Sequence, residues 1–227
     1  MAEGTKCVLD TLPHFRLRHL IATPAWISQH SPECPSRIVE ANRGEIGEMS
    51  SMTLAPDVIA VYDIPAPREF SAEDCKKKLV IALDRIQDPG NLGTIIRTAD
   101  WMGVTTILAS NETVDCFNPK VVQATMGAIA RVHIIYGDLP KMLFNLKGAS
   151  VYGTFLDGEN IYTANLNDTG VIVMGNEGQG ISPEVERMVT HRLLIPSYPP
   201  FRPTSESLNV ASAAAIVLSQ FRSRLMK

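Results

Sequence analysis

Three clusters of polar residues, set far apart among apolar stretches, carry the side chains that could do chemistry in this 227-residue chain. The first holds Asn91 and, further on, Arg97. The second is Gly175-Asn176-Glu177-Gly178-Gln179-Gly180, and the third is Ser207-Leu208-Asn209. A guanidinium can orient a hydroxyl or a phosphate, and amides, a carboxylate and a hydroxyl can hold a ligand or a proton beside it. The glycines let the backbone turn sharply and approach a ligand. Taken singly, each cluster has a plainer reading: Asn91 and Ser207 as helix caps, Glu177 as a loop brace, Arg97 as a surface ion pair, the glycines as a tight turn. The order Gly-x-x-Gly-x-Gly reverses the dinucleotide fingerprint, and no βαβ unit with a suitably placed acidic residue follows, which argues against a nucleotide-dependent oxidoreductase.

The elements that must position these clusters are legible as short apolar runs. Residues 171–174 (Val-Ile-Val-Met) have the length and branching of a buried strand feeding the glycine loop. Residues 79–83 form another apolar strand, and the turn-rich loop 84–91 leads to a helix that Asn91 is suited to cap. In that helix Leu92, Ile95, Ile96, Ala99 and Met102 recur at intervals of three and four as the buried stripe, with Arg97 off it. Strands follow at 104–108, 132–135, 151–155 and 193–195. Helices open at Asn118-Pro119 and Ser182-Pro183, span 140–146 up to Gly148, and run from 208 to 225 with Ala211, Ala213, Ala214 and Ala215. This alternation predicts an α/β fold, a mostly parallel sheet with helices on both faces.

Residues 1–66 read as a separate small α/β unit: a helix at 3–12 stopped by Pro13, strands at 18–22, 37–39 and 58–61, a helical turn at 24–29 and a solvated helix at 42–49. Residues 67–78, with proline and alternating charge, suit a linker, and 79–227 form the second domain. Lys76-Lys77-Lys78 fits a solvated strand entry better than a phosphate-binding patch.

Composition narrows the classes. A 45% hydrophobic, 20% charged chain is an ordinary globular sequence, without repeats or low-complexity tracts. No apolar run reaches membrane-spanning length and no secretory signal opens the chain, so no membrane partner and a cytoplasmic location are expected. Cys7, Cys34, Cys75 and Cys116 form no Cys-x-x-Cys pair, and the five histidines show no ligand spacing with them, so no metal is expected. A formal charge of −3 does not advertise a nucleic-acid partner, although a local basic face is compatible with it.

With the clusters in order, the chain resembles the SpoU (TrmH) family of RNA 2'-O-ribose methyltransferases of the SPOUT class. The resemblance covers residues 79–222 and rests on Asp-Pro-Gly-Asn-Leu-Gly-Thr-Ile-Ile-Arg-Thr-Ala-Asp, Met-Gly-Asn-Glu-Gly-Gln-Gly, and Ile-Pro followed by Glu-Ser-Leu-Asn-Val-Ala-Ser-Ala. It implies a C-terminal trefoil knot, a homodimer, and S-adenosylmethionine as methyl donor for a ribose hydroxyl of tRNA or rRNA, with no DNA partner and no metal. Donor contacts are implied at Thr154, Gly175, Asn176, Gly180, Ile195, Leu208 and Asn209. Catalytic positions are implied at Arg97, Asn91, Glu177, Ser207 and Asn209, with Glu177 available to hold Arg97 or a backbone turn. Residues 1–66 look similar to the small RNA-gripping domain of many members.

Two departures stand out. Relatives place a basic lead-in and a first strand before the segment corresponding to 3–12, so this chain is expected to lack its first strand. The loop after Ile195-Pro196 is long and holds Pro199, Pro200, Phe201, Arg202 and Pro203 without a glycine, so it could cover the donor, contact RNA through Phe201 and Arg202, or weaken donor binding. The second reading is therefore an RNA-binding or assembly protein that keeps the fold and has lost turnover.

Overall fold

The computed structural model describes residues 1–199 and 206–223. Residues 1–62 build a four-stranded sheet from β1 (Ala2–Glu3), β2 (Leu17–Ala22), β3 (Ile38–Glu40) and β4 (Val58–Tyr62), in the order β1-β4-β2-β3. Strands β2 and β3 run parallel and the other pairs antiparallel. Helices α1 (Thr5–Thr11), α2 (Pro24–His30) and α3 (Arg43–Met49) complete this layer. Asn42 and Glu45 cap α3 reciprocally, at 3.1 and 2.8 Å, and Ile46 is buried beneath that otherwise solvated helix.

A two-residue strand stands ahead of the first helix. Ala2 and Glu3 pair with Ala60 and Ile59 of β4, and the Glu3 carboxylate accepts from the Ser51 hydroxyl at 2.7 Å. The helix expected from residue 3 therefore starts at Thr5, after Gly4 at φ +84° redirects the backbone.

Six strands form the larger sheet: β5 (Leu79–Leu83), β6 (Thr106–Ser110), β7 (His133–Gly137), β8 (Val151–Asn160), β9 (Gly170–Met174) and β10 (His191–Leu194). Their order is β10-β8-β9-β5-β6-β7, and every pair is parallel. Alternation along β5 sends Leu79, Ile81 and Leu83 to one core and Val80 and Ala82 to the other. On the first face lie α5 (Pro89–Trp101), α6 (Pro119–Thr125) and α9 (Val210–Ser223); Leu92, Ile95 and Ile96 of α5 and Val217, Leu218 and Phe221 of α9 share its core. On the second lie α4 (Ala72–Lys76), α7 (Leu139–Asn145) and α8 (Pro183–Glu186).

Three boundaries differ from expectation for identifiable reasons. The segment 67–78 holds a helix: Ser71 accepts from Asp74 N at 3.3 Å, and Cys75 is buried under the second face. Strand β6 starts two residues late, because Val104 N closes the end of α5 on Ala99 O at 2.8 Å. Strand β8 continues to Asn160, where Gly158 lets the backbone of Leu193 come close: a β-carbon there would sit 2.5 Å from it. The smaller layer packs directly on the larger one, since Val122 of α6 belongs to its core and Gly127 lies against Asp10.

Helix α5 opens two residues before Asn91. Asp88 is its cap, accepting from Asn91 N at 2.7 Å, with Pro89 in the first position. Asp88→Ala is expected to destabilise the fold by about 1 kcal/mol. A denaturant melt that leaves the midpoint unchanged would show the cap to be dispensable.

Candidate functional site

At the carboxyl ends of parallel strands the chain must turn, and exposed loops there are where ligands bind in open α/β sheets. The ends of β9 and β10 meet the middle of β8 and the start of α9 in this fold. A cavity of about 560 Å³ opens there, floored by Met174, Gly175 and Ile181 and walled by Thr154, Leu194, Ile195 and Leu208. Ser207, Glu177 and Glu206 bring polar groups to its lining. The size is that of a small-molecule site.

The glycine loop is braced in part by its own backbone and by Asn176. Asn176 and Gly180 exchange both backbone hydrogen bonds, at 3.0 and 2.9 Å, and the Asn176 Oδ1 accepts from Gly178 N and Gln179 N at 2.9 and 3.0 Å. The same side chain donates from Nδ2 to the Arg85 carbonyl at 2.8 Å, which fastens the loop to the end of β5. The turn is thus set before any ligand arrives.

Because Asp88 takes the capping role, the Asn91 side chain is released to the site. Its Nδ2 donates to Glu177 Oε1 at 2.7 Å, and its Oδ1 accepts from Asn209 Nδ2 at 2.9 Å. Asn209 in turn caps α9, its Oδ1 accepting from Ala211 N and Ser212 N at 3.0 and 3.2 Å. One hydrogen-bonded line therefore joins the three clusters, across 86 residues from Asn91 to Glu177 and 118 from Asn91 to Asn209.

Of the residues implied as donor contacts, Thr154, Gly175, Asn176, Gly180, Ile195 and Leu208 line the cavity; Asn209 stands beside it in the polar line. Glu177 and Ser207 line it as well. Two expectations change. Glu177 holds Asn91, not Arg97, and the helix caps are Asp88 and Asn209, not Asn91 and Ser207. Arg97 lies six residues beyond Asn91, about 9 Å further along the helix axis. It is exposed, outside the cavity lining, and has no hydrogen-bond or ion-pair partner among the described residues. Phe201 and Arg202 lie outside the described residues.

Asp84 and Arg85 were not singled out by sequence. Asp84 is 2% exposed and accepts from Ser182 N at 2.6 Å, while Arg85 reaches Gln179 Oε1 at 3.0 Å. A charged pair directly after an apolar strand was the available signal. The buried cysteines are poor nucleophiles: burial raises the thiols of Cys7 and Cys75, and that of Cys116 up to about 11. Among the described residues no three His, Cys, Asp or Glu side chains are grouped to hold a metal ion, and no helix is long and apolar enough to cross a membrane.

S-adenosylmethionine fits this site by its chemistry. Met174, Leu194, Ile195 and Leu208 offer apolar surface for a flat base, and the carboxylates of Glu177 and Glu206 suit a ligand carrying positive charge.

Known proteins are similar to this chain in sequence and fold. The 23S rRNA (guanosine(2553)-2'-O)-methyltransferase RlmP of Bacillus subtilis is 36% identical over 168 residues, 73% of this chain and 64% of that protein. The chain thus matches just under two thirds of that relative's length. A solved TrmH-family structure from Porphyromonas gingivalis is 41% identical and superposes with a TM-score of 0.85, covering 98% of this chain and 88% of that one. The AdoMet-bound rRNA methyltransferase from Sinorhizobium meliloti is 29% identical, with a TM-score of 0.85 and coverage of 100% of this chain and 87% of that one. The model of the SpoU rRNA Methylase family matches residues 78–219, a stretch that contains all three clusters and the cavity between them, so the chain belongs to that family.

Proposed function

We propose that the protein transfers a methyl group from S-adenosylmethionine to a ribose 2'-hydroxyl of rRNA or tRNA. The observation that carries this reading is the Asn209–Asn91–Glu177 line beside the cavity, which ties the loop after β9 to the starts of α5 and α9. The names of relatives support it, since the Bacillus subtilis protein is a 2'-O-methyltransferase of 23S rRNA.

When bound, the donor supplies a methyl group already activated on a sulfonium, so the chain's task is placement. Thr154, Gly175, Asn176, Gly180, Ile195 and Leu208 enclose the donor, and Asn209 keeps α9 registered against α5. Arg97 would orient the RNA phosphate and the 2'-hydroxyl, whose proton passes to solvent water as the oxygen is methylated. A guanidinium stays protonated, so it acts here by orientation and charge, not as a free base.

The finer architecture belongs to the same reading. In that reading the larger domain carries a C-terminal trefoil knot, and residues 1–66 grip the RNA. A second copy packs at the C-terminal end of α5, where Trp101 is 84% exposed. Sedimentation should give a dimer, and Trp101→Glu a monomer. A wild-type monomer would remove this part of the proposal.

The reaction is tested by incubating the protein with labelled donor and RNA lacking the modification, then digesting to nucleosides for mass spectrometry. A 2'-O-methyl nucleoside is expected; methyl on a base would refute the assignment. Calorimetry with the donor alone separates the enzyme from an assembly protein, which would show no binding.

A further inference from the structure

Arg85 stands in the left-handed backbone region, at φ +59°, where a β-carbon crowds the following carbonyl. Glycine adopts that conformation without crowding. The turn lets each polar group of Arg85 reach a different part of the chain. Its N–H donates to Ser110 Oγ at the end of β6, at 3.0 Å, and its carbonyl accepts from Asn176. Its Nη1 donates to Gln179 Oε1 at 3.0 Å. The buried Nε makes no hydrogen bond but faces Asp84 Oδ1 at 3.4 Å, a contact held by charge.

The two backbone links need only the turn, which glycine would supply. The link to Gln179 needs the guanidinium. Because Asp84 also accepts from Ser182 N, the pair 84–85 grips the segment 176–182 at both ends. That segment contributes Asn176, Glu177, Gly178, Gly180 and Ile181 to the cavity lining.

We propose that Arg85 is a positioning residue for the methyl donor: its guanidinium clamps the 176–180 turn, holding the cavity in shape and Glu177 within reach of Asn91. It touches no ligand itself. The inference rests on the donor reading above, but its structural half is testable without a ligand.

Gln179→Ala removes the acceptor at an exposed position. Arg85→Lys keeps a positive charge beside Asp84 while losing the fork that serves two partners at once. In ligand-free protein, amide hydrogen exchange across 176–180 should speed up about tenfold in each variant, the size expected for one lost hydrogen bond to a charged group. The global unfolding midpoint should stay close to wild type. Calorimetry should show donor affinity weakened several-fold, and turnover a raised KM for the donor with kcat and the KM for RNA unchanged. The double variant should match the worse single one, since both act through one contact. Unchanged exchange and donor affinity, or additive effects, would overturn the proposal. If wild-type protein binds no donor, the donor reading fails, and the exchange data still decide whether Arg85 clamps the turn.

Discussion

Gly175→Ala is expected to abolish donor binding and to destabilise the protein by about 3 kcal/mol, the upper end of what overpacking typically costs. A β-carbon at this position would sit 2.3 Å from Gly180 C, 2.4 Å from Ile181 N and 2.6 Å from Gly180 O. All three are backbone atoms, so no side chain can swing aside. Either β9 must shift against a core in which Val173 and Met174 are almost fully buried, or the paired backbone bonds between Asn176 and Gly180 must break. The second response moves Glu177 away from Asn91 and opens the cavity floor. Thermal unfolding should drop by roughly 6–12 °C for a chain of this size. Gly178→Ala is the stability control: its β-carbon would meet only Asn176 Oδ1, at 3.7 Å, so the melting point should be preserved. Wild-type stability and donor affinity in Gly175→Ala would mean that the close approach is not needed.

The contrast between these two glycines marks what sequence could and could not reveal. The glycine spacing announced a sharp turn but not which glycine lies against backbone, because that depends on Ile181 returning beside Gly175. Apolar runs placed β5 and β9 correctly, since a fully buried parallel strand has no competing use for five successive apolar residues. The stripe of α5 was equally plain.

What remained hidden were choices between equivalent polar residues. Asp88 and Asn91 both suit a helix cap; Pro89, a residue favoured in the first helical position, pointed to Asp88. Once Asp88 is the cap, Asn91 is free for Glu177 and Asn209. Similarly, α4 hides in a charged stretch because only Cys75 of its five residues is buried, too few for a periodic pattern. The grip of Arg85 on Gln179 spans 94 residues, and no local pattern encodes a contact that the order of strands in the sheet creates.

Arg97→Ala is expected to lower turnover by roughly 10²–10³-fold, the range seen when a positioned transition-state donor is removed, without affecting the fold. Other arginines are engaged internally: Arg131 with Asp100 at 2.8 Å, Arg222 with the Met102 carbonyl at 2.8 Å, Arg85 with Gln179. Arg97 is exposed, with no such partner among the described residues, so its loss should change stability by no more than about 0.5 kcal/mol. Its charge is therefore available to a polyanion, and two roles can be separated. If Arg97 only gripped a phosphate, the KM for RNA would rise, kcat at saturating RNA would hold, and the salt dependence of binding would ease by one phosphate contact. If it orients the 2'-hydroxyl, kcat itself must fall. Arg97→Lys should then recover only part of the rate, because an ammonium restores the charge but not a planar fork that holds phosphate and hydroxyl together. Single-turnover methyl incorporation at saturating donor and RNA reads this directly. A near-normal rate constant in Arg97→Ala would move the orienting role to a side chain nearer the cavity, with Ser207 and Glu177 the next to substitute.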